Sequence, residues 1–227
     1  MKHLINPKNI RTVLFDFDGV LMRSIEDHHR SWNEVFRQYD TEIGWEEFST
    51  LEGQSLYTIA EQLCRHHGID VSQSEKIGRA KNDLYLKTAT LKLYDGAVHL
   101  LDTLKRRKLQ IGLVTGAHRD RFEISVDHHF LSYFDAIITA DDVTQTKPDP
   151  EPYLKAVAFI GTPANECVVV ENAPLGIESA KRAGIPVIAL TTTLSEKYLE
   201  DADLIVNSLS DVGDLFKEIR IEDEPST

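Results

Sequence analysis

The chain has 227 residues, 41% of them hydrophobic, with 25 Lys and Arg against 37 Asp and Glu and a formal net charge of −12. That length supports a sizeable core in one large domain, or one domain with a small accessory, and the apolar share excludes disordered and fibrous classes. So acidic a chain repels nucleic acid and anionic membranes, which excludes both as expected partners, and it means that a phosphate site must be made locally positive. No apolar run approaches the roughly 20 residues of a membrane span, the start MKHLINPKNIRT lacks an apolar signal core, and Cys64 and Cys167 lie far apart without metal-ligand spacing. A cytoplasmic setting is expected, with neither a disulfide framework nor a zinc site.

In chain order, Val13-Leu14-Phe15 is a short apolar strand that runs into Asp16-Phe17-Asp18-Gly19. Residues 22–90 are predicted helical. Ile25, His28, His29, Trp32, Val35, Phe36 and Tyr39 mark one helical face, and Leu56, Ile59, Ala60, Leu63, Cys64 and His67 a second. A third helix is expected from Ser74 to about Ala89, and no strand of comparable strength appears in this stretch. From Gly96 helix and strand alternate: Ala97, Leu100, Leu101 and Leu104 at helical spacing, then strands at 111–114, 136–140, 167–170 and 186–190, with helices at about 151–160 and 174–183 between them and a last strand at Leu204-Ile205-Val206. Continuous apolar strands separated by helices imply a Rossmann-like α/β parallel sheet covered on both faces. The expected division is an α/β core of residues 1–21 and 91–227 and an all-helical cap of residues 22–90, with the final IEDEPST a frayed tail.

Ligands in open α/β sheets sit beyond the carboxyl ends of the strands. Four strands here lead into polar residues: Asp16 and Asp18, Thr115-Gly116, Lys147-Pro148, and Glu171-Asn172. Strand ends meeting water account for any one of these, but poorly for all four together. Asp16 and Asp18 lie two apart and share a face on an extended segment, and a turn at Gly19 lets Asp18 swing over the same cavity. Two neighbouring carboxylates repel unless a cation sits between them, and magnesium, hard and oxygen-seeking, is the natural guest. An Asp beside such an ion can attack phosphorus and form an aspartyl phosphate.

The segment Asp16-Phe17-Asp18-Gly19-Val20-Leu21 resembles the first motif of the haloacid dehalogenase superfamily. Thr115, then Lys147-Pro148-Asp149-Pro150, then Glu171-Asn172 with Gly176, Ala180 and Gly184 match its later motifs in order. His28, Trp32 and Lys81-Asn82-Asp83 with Tyr85 are similar to its β-phosphoglucomutase-like branch. The resemblance implies Asp16 as nucleophile and Asp18 as general acid and then general base. It implies a phosphoryl cradle from Thr115 and the amides of Gly116 and Ala117 at a helix start, and Lys147 as the charge that offsets Asp16 and phosphate. Mg2+ would be held by the Asp16 carboxylate, the Asp18 carbonyl and the Glu171 and Asn172 side chains. Among cap residues His28 is expected at the site, while Lys81 either meets substrate or is solvated. Arg23, where an acid is usual, either adds charge at the cap hinge or pairs with Glu26.

Two departures shape the expected activity. Asn172 stands where an Asp is usual, which keeps an oxygen ligand but removes its charge. Leu56-Tyr57-Thr58 follows Gly53-Gln54-Ser55 without the Arg with which mutase-type members grip a distal phosphate. The expectation is therefore a monomeric magnesium-dependent phosphatase acting on a small phosphorylated metabolite such as a sugar phosphate. The alternatives are a β-phosphoglucomutase and a non-catalytic phosphate-binding protein.

Overall fold

The structure is a computed structural model and describes residues 5–217; the tail at 221–227 lies outside the described residues. Six strands form one parallel sheet: β1 (Thr12–Phe15), β4 (Gln110–Val114), β5 (Ala136–Ile138), β6 (Cys167–Glu171), β7 (Val187–Leu190) and β8 (Leu204–Val206), in spatial order β5-β4-β1-β6-β7-β8. Two further strands, β2 (Met22–Arg23) and β3 (Lys92–Leu93), make a separate antiparallel ribbon. Pairs of residues this short carry no period, which is why the sequence did not announce them.

Every residue of β1 is buried, and alternate side chains enter opposite cores as the pleat requires. Val13 and Phe15, with Ile111, Leu113, Val168 and Val170, face one core; Leu14, with Val114, Cys167 and Val169, faces the other. The first core is closed by α5 (Ala97–Arg106), α6 (Arg119–Ile124), α7 (His128–Leu131) and α10 (Leu209–Phe216), and the second by α8 (Glu151–Ile160) and α9 (Pro174–Arg182). Burial on both faces explains the unbroken apolar runs.

The helical cap is built from α1 (Ile25–Phe36), α2 (Trp45–Ser49), α3 (Leu56–His66) and α4 (Ser74–Thr88) around a core of its own that includes Trp32, Phe36, Phe48, Leu63 and Ile77. The β2–β3 ribbon lies where the chain leaves the first sheet strand and returns. Arg23, on this ribbon, pairs with Glu26 at 3.2 Å on the surface. No helix among the described residues is long and apolar enough to cross a membrane.

The topology locates the site. From β1 the chain goes to β4 and β5 on one side, then returns to β6, β7 and β8 on the other. The crevice opens at the carboxyl end of β1, where those two directions part. Phe15 pairs in register with Leu113 and Val170, so Asp16, Val114-Thr115 and Glu171 reach the same edge.

Candidate active site

Asp16 follows β1 and is 4% exposed. Its Oδ1 accepts a hydrogen bond from Lys147 Nζ at 2.5 Å. The same ammonium donates to Glu171 Oε1 at 2.7 Å and to the Val114 carbonyl at 3.3 Å, which occupies its three N–H groups. Burial pulls the Lys147 pKa down, but the adjacent Asp16 and Glu171 carboxylates outweigh it and hold the ammonium well above its ordinary range. Burial raises Asp16, and Lys147 does not fully offset this because Glu171 adds repulsion, so the carboxyl rises well above the usual carboxylate range. One ammonium shared by two buried carboxylates leaves the cluster short of positive charge.

The expectation for Glu171 as a metal ligand is corrected by its hydrogen bonds. Oε1 accepts from Lys147 and from the Tyr153 hydroxyl at 3.0 Å, and Oε2 accepts from the Asn172 and Ala173 amides at 2.8 and 3.2 Å. Four protein donors saturate a carboxylate, so in this arrangement Glu171 anchors Lys147 instead of facing a cation. Gly176 on α9 is what lets it sit there: a Cβ at that position would lie 1.7 Å from Glu171 Oε1.

The remaining oxygens do suit a hard cation. Asn172 is 1% exposed, and its Nδ2 donates to Thr193 Oγ1 at 2.7 Å. Its Oδ1 accepts no hydrogen bond from any described residue, nor does Asp16 Oδ2. Gly19 brings the Asp18-Gly19 backbone against Asn172: with φ at +83° and a hypothetical Cβ 2.1 Å from Asn172 Nδ2, the turn admits only glycine. The Asp18 carbonyl there accepts no main-chain hydrogen bond. A carboxylate oxygen, a main-chain carbonyl and an amide oxygen, all unclaimed, form the kind of set that magnesium takes together with water and phosphate.

Asp18 is turned toward the cap. Its Oδ1 accepts from the Ser24 hydroxyl at 2.6 Å and lies 3.3 Å from His28 Nε2, and its Oδ2 accepts from Arg121 Nη2 at 2.5 Å. Burial alone would raise its pKa, but the Arg121 charge and the His28 contact carry it well below the usual range. His28 Nδ1 lies 2.6 Å from Lys81 Nζ, and the imidazole stacks on Tyr85 at 4.0 Å. Burial and the Lys81 charge hold His28 down at about 3, so the ring is neutral. Lys81 faces Nδ1, while Nε2 lies between Asp18 Oδ1 and Arg121 Nη1, the latter at 3.2 Å. Lys81 is buried, not solvated, and burial together with Arg121 lowers it to about 7.

Thr115 supports its loop from behind. Its Oγ1 accepts from the Ala117 amide at 3.1 Å, and helix α6 begins only at Arg119, so Gly116 and Ala117 lie in a turn ahead of the helix and not at its first residues as expected. A cavity of about 740 Å³ opens above, lined by Gly116 and Ala117, by Asp16 and Asp18, and by cap residues including His28, Glu52 and Lys81. The cap loop closes on this turn: a Cβ at Gly116 would lie 2.8 and 2.7 Å from the carbonyl oxygens of Gly53 and Gln54. Carboxylates outnumber Lys and Arg side chains in the lining, so the cavity is not positive by itself as the sequence reading required.

Three contributors were missed from sequence. Ser24 occupies the N-cap position of α1, yet its hydroxyl caps nothing and serves Asp18. Arg121 is indistinguishable in the sequence from Arg119, which instead pairs with Asp142. Glu52 sits in a loop without a periodic signal.

The family described as haloacid dehalogenase-like hydrolase matches residues 13–190. Validoxylamine A 7'-phosphate phosphatase from Streptomyces hygroscopicus subsp. limoneus is 32% identical over 209 residues, covering 89% of this chain and 95% of that protein. Fructose-1-phosphate phosphatase YqaB from Escherichia coli is 28% identical over 181 residues, covering 78% of this chain and 94% of that protein. Among solved structures, a Bacteroides vulgatus protein provisionally named a beta-phosphoglucomutase superposes with a TM-score of 0.80 at 32% identity, covering 92% of this chain and 88% of that one.

Proposed function

The chain belongs to the haloacid dehalogenase-like hydrolase family, and on that premise we propose that it is a magnesium-dependent phosphomonoesterase acting on a small phosphorylated metabolite of the cytoplasm, such as a sugar phosphate. The observation that carries this reading is the pairing of Asp16 with Lys147: one carboxylate oxygen is held at 2.5 Å while the residue lines the cavity with its other oxygen unclaimed.

The Asp16 carboxylate attacks phosphorus, the ester P–O bond breaks, and the departing alkoxide takes a proton from Asp18. Asp18 then removes a proton from water, which attacks the aspartyl phosphate and releases phosphate and the free carboxylate. Asp18 must receive its proton as substrate binds, since Arg121 keeps it ionised beforehand. Lys147 stays charged and offsets negative charge that builds beside Asp16. The Gly116 amide is the main-chain donor of this turn left for a phosphoryl oxygen, since the Ala117 amide donates to Thr115 Oγ1, and the closed cap loop restricts water at the reacting edge. Asp16, the Asp18 carbonyl and Asn172 would hold magnesium, with Glu171 acting behind Lys147. A bound magnesium ion supplies the positive charge that this carboxylate-rich site lacks.

The phosphatase names of the two curated relatives support hydrolysis. The mutase alternative lacks the Arg after Gly53-Gln54-Ser55. The non-catalytic alternative leaves the Asp16–Lys147 pair unexplained. The test is p-nitrophenyl phosphate turnover with and without magnesium, for wild type and Asp16→Asn. Magnesium-dependent turnover that Asp16→Asn abolishes while keeping its fold is the expected result. Undiminished turnover by the folded, undeamidated variant overturns the nucleophile assignment. Primer-dependent conversion of glucose 1-phosphate to glucose 6-phosphate would establish a mutase instead.

A further inference from the structure

Glu47 lies on α2, while His66 is the last residue of α3 and His67 its C-terminal cap. None of the three lines the catalytic cavity. Glu47 Oε1 is 2.8 Å from His67 Nε2 and 3.8 Å from His66 Nε2, and the three donor atoms fall within 4.8 Å of one another. The cluster is braced from both sides. Glu47 Oε2 accepts from the Gly44 amide at 3.3 Å, which leaves the other oxygen to the imidazoles. The His67 ring meets Phe36 of α1 edge-on at 6.3 Å, and its side chain is 19% exposed.

A hydrogen bond between Glu47 and His67 accounts for that pair alone. His66 is left over. At 3.8 Å it is beyond hydrogen-bond range, and with 70% of its side chain exposed it could be satisfied by water, yet its nitrogen faces the same carboxylate oxygen. Protonated imidazoles would be drawn to Glu47 but would repel each other, with ring centroids 4.9 Å apart. One ion bound by all three groups removes that conflict. Each imidazole then binds through an unprotonated nitrogen and carries its proton on the other. Tetrahedral zinc, with bonds of about 2.0–2.1 Å, sets neighbouring ligands about 3.3–3.4 Å apart. The separations of 2.8 and 3.8 Å bracket that value. Two imidazoles and one carboxylate are a donor mix for zinc, whereas magnesium takes oxygens. The exposed side of His66 gives the ion a way in and a fourth position for water. No thiolate takes part, so the cysteine spacing that argued against a zinc site does not bear on this one.

We propose that Glu47, His66 and His67 form a zinc-binding site in the cap, separate from the magnesium site, which ties α2 to the end of α3. Glu47 and His67 stand 20 residues apart, so the ion closes a loop and lowers the entropy of the unfolded cap. The tie also reaches the core. Trp45 Nε1 on α2 donates to the Thr193 carbonyl at 3.2 Å, and the Tyr198 hydroxyl donates to Glu46 Oε2 at 2.5 Å.

Equilibrium dialysis against zinc in excess magnesium measures binding to wild type, His66→Ala and Glu47→Gln, and urea unfolding with and without zinc measures the tie. Wild type should bind one zinc ion per chain that magnesium does not displace. Each substitution should weaken binding tenfold or more, since losing even a partner behind a metal ligand costs roughly tenfold. Zinc should raise the urea midpoint of wild type and lose that effect in both variants, because an ion that binds only the folded chain opposes unfolding. No zinc on wild type, zinc displaced by magnesium, or less than tenfold weakening in His66→Ala overturns the assignment. Zinc bound at this site without a rise in the wild-type midpoint overturns the tie. Glu47→Gln keeps an acceptor for the Gly44 amide; if it nevertheless fails to fold, His66→Ala decides, because that side chain is mostly in water. None of these measurements uses turnover, so they stand apart from the phosphatase reading.

Discussion

Arg121 Nη2, from the core helix α6, donates to Asp18 Oδ2 at 2.5 Å, so a guanidinium holds the second carboxylate of the Asp16-Phe17-Asp18 segment while the Lys147 ammonium holds the first. The two aspartates are thereby set apart electrostatically: burial raises one pKa, while a guanidinium lowers the other. Environments that push two acids in opposite directions are how one site assigns different roles to the same side chain.

Replacing Arg121 by Met removes the charge that holds Asp18 ionised. The Asp18 pKa should rise, and the alkaline limb of kcat/KM for a poor leaving group should move to higher pH, because the protonated acid persists further. A pH–rate profile for wild type and Arg121→Met measures this. A shift to lower pH, or none, would show that Arg121 does not set the acid.

Asn172 is tested through the metal requirement. Asn172→Asp should lower the magnesium concentration for half-maximal activity and Asn172→Ala should raise it, since one added charge counts for more in a partly dry site than in water. The Thr193 hydroxyl, which now accepts from Nδ2, can donate to the new carboxylate and keep it in place. Maximal rate need not follow affinity, because a more neutralised ion withdraws less charge from the phosphoryl group. Identical half-saturation in the three proteins would remove position 172 from the metal.

Gly176 leaves room for the Glu171 carboxylate, and a Cβ there would fall within 2.6 Å of both carboxylate oxygens and nearer still to one. Gly176→Ala should therefore displace Glu171, uncouple Lys147, and cost about 3 kcal/mol or more of stability, at the upper end of overpacking effects. Urea unfolding measures the loss. Wild-type stability would mean that α9 yields without cost.

Glu52 gives a pH signature in stability that needs no substrate. In the unfolded chain it ionises near its ordinary 4.5; in the fold, surrounded by Asp18, Lys81, Arg121 and Glu171, it does so near 7. Between those values the folded protein retains a proton that the unfolded chain has released. The group's contribution to stability is therefore fully present below about 4.5 and lost as pH rises through 7. Glu52→Gln lacks this dependence. Its stability relative to wild type should be greater at pH 8 than at pH 5 by about 2 kcal/mol, following the linkage of pKa shift to free energy. An equal difference at the two pH values would place the Glu52 carboxyl in solvent.

The sequence by itself determined the sheet, the helical insert and the rim. Unbroken apolar runs such as Val13-Leu14-Phe15 and Cys167-Val168-Val169-Val170 report burial on both faces, and polar residues where such strands end mark the ligand edge, because both are local consequences of a covered parallel sheet. Asp16 and Lys147, 131 residues apart, were assigned to one site on that ground and meet at 2.5 Å. What only the tertiary structure decided is the choice of partners. Arg119 and Arg121 stand two apart in one six-residue helix, yet one meets Asp142 and the other Asp18. Glu171 and Asn172 are neighbours, yet the first carboxylate is saturated by Lys147, Tyr153 and two amides while the second side chain keeps an oxygen free. Periodicity registers which residues are buried, but a buried charge takes its role from the groups that loops distant in sequence bring within 3 Å of it, and that distance is set by packing.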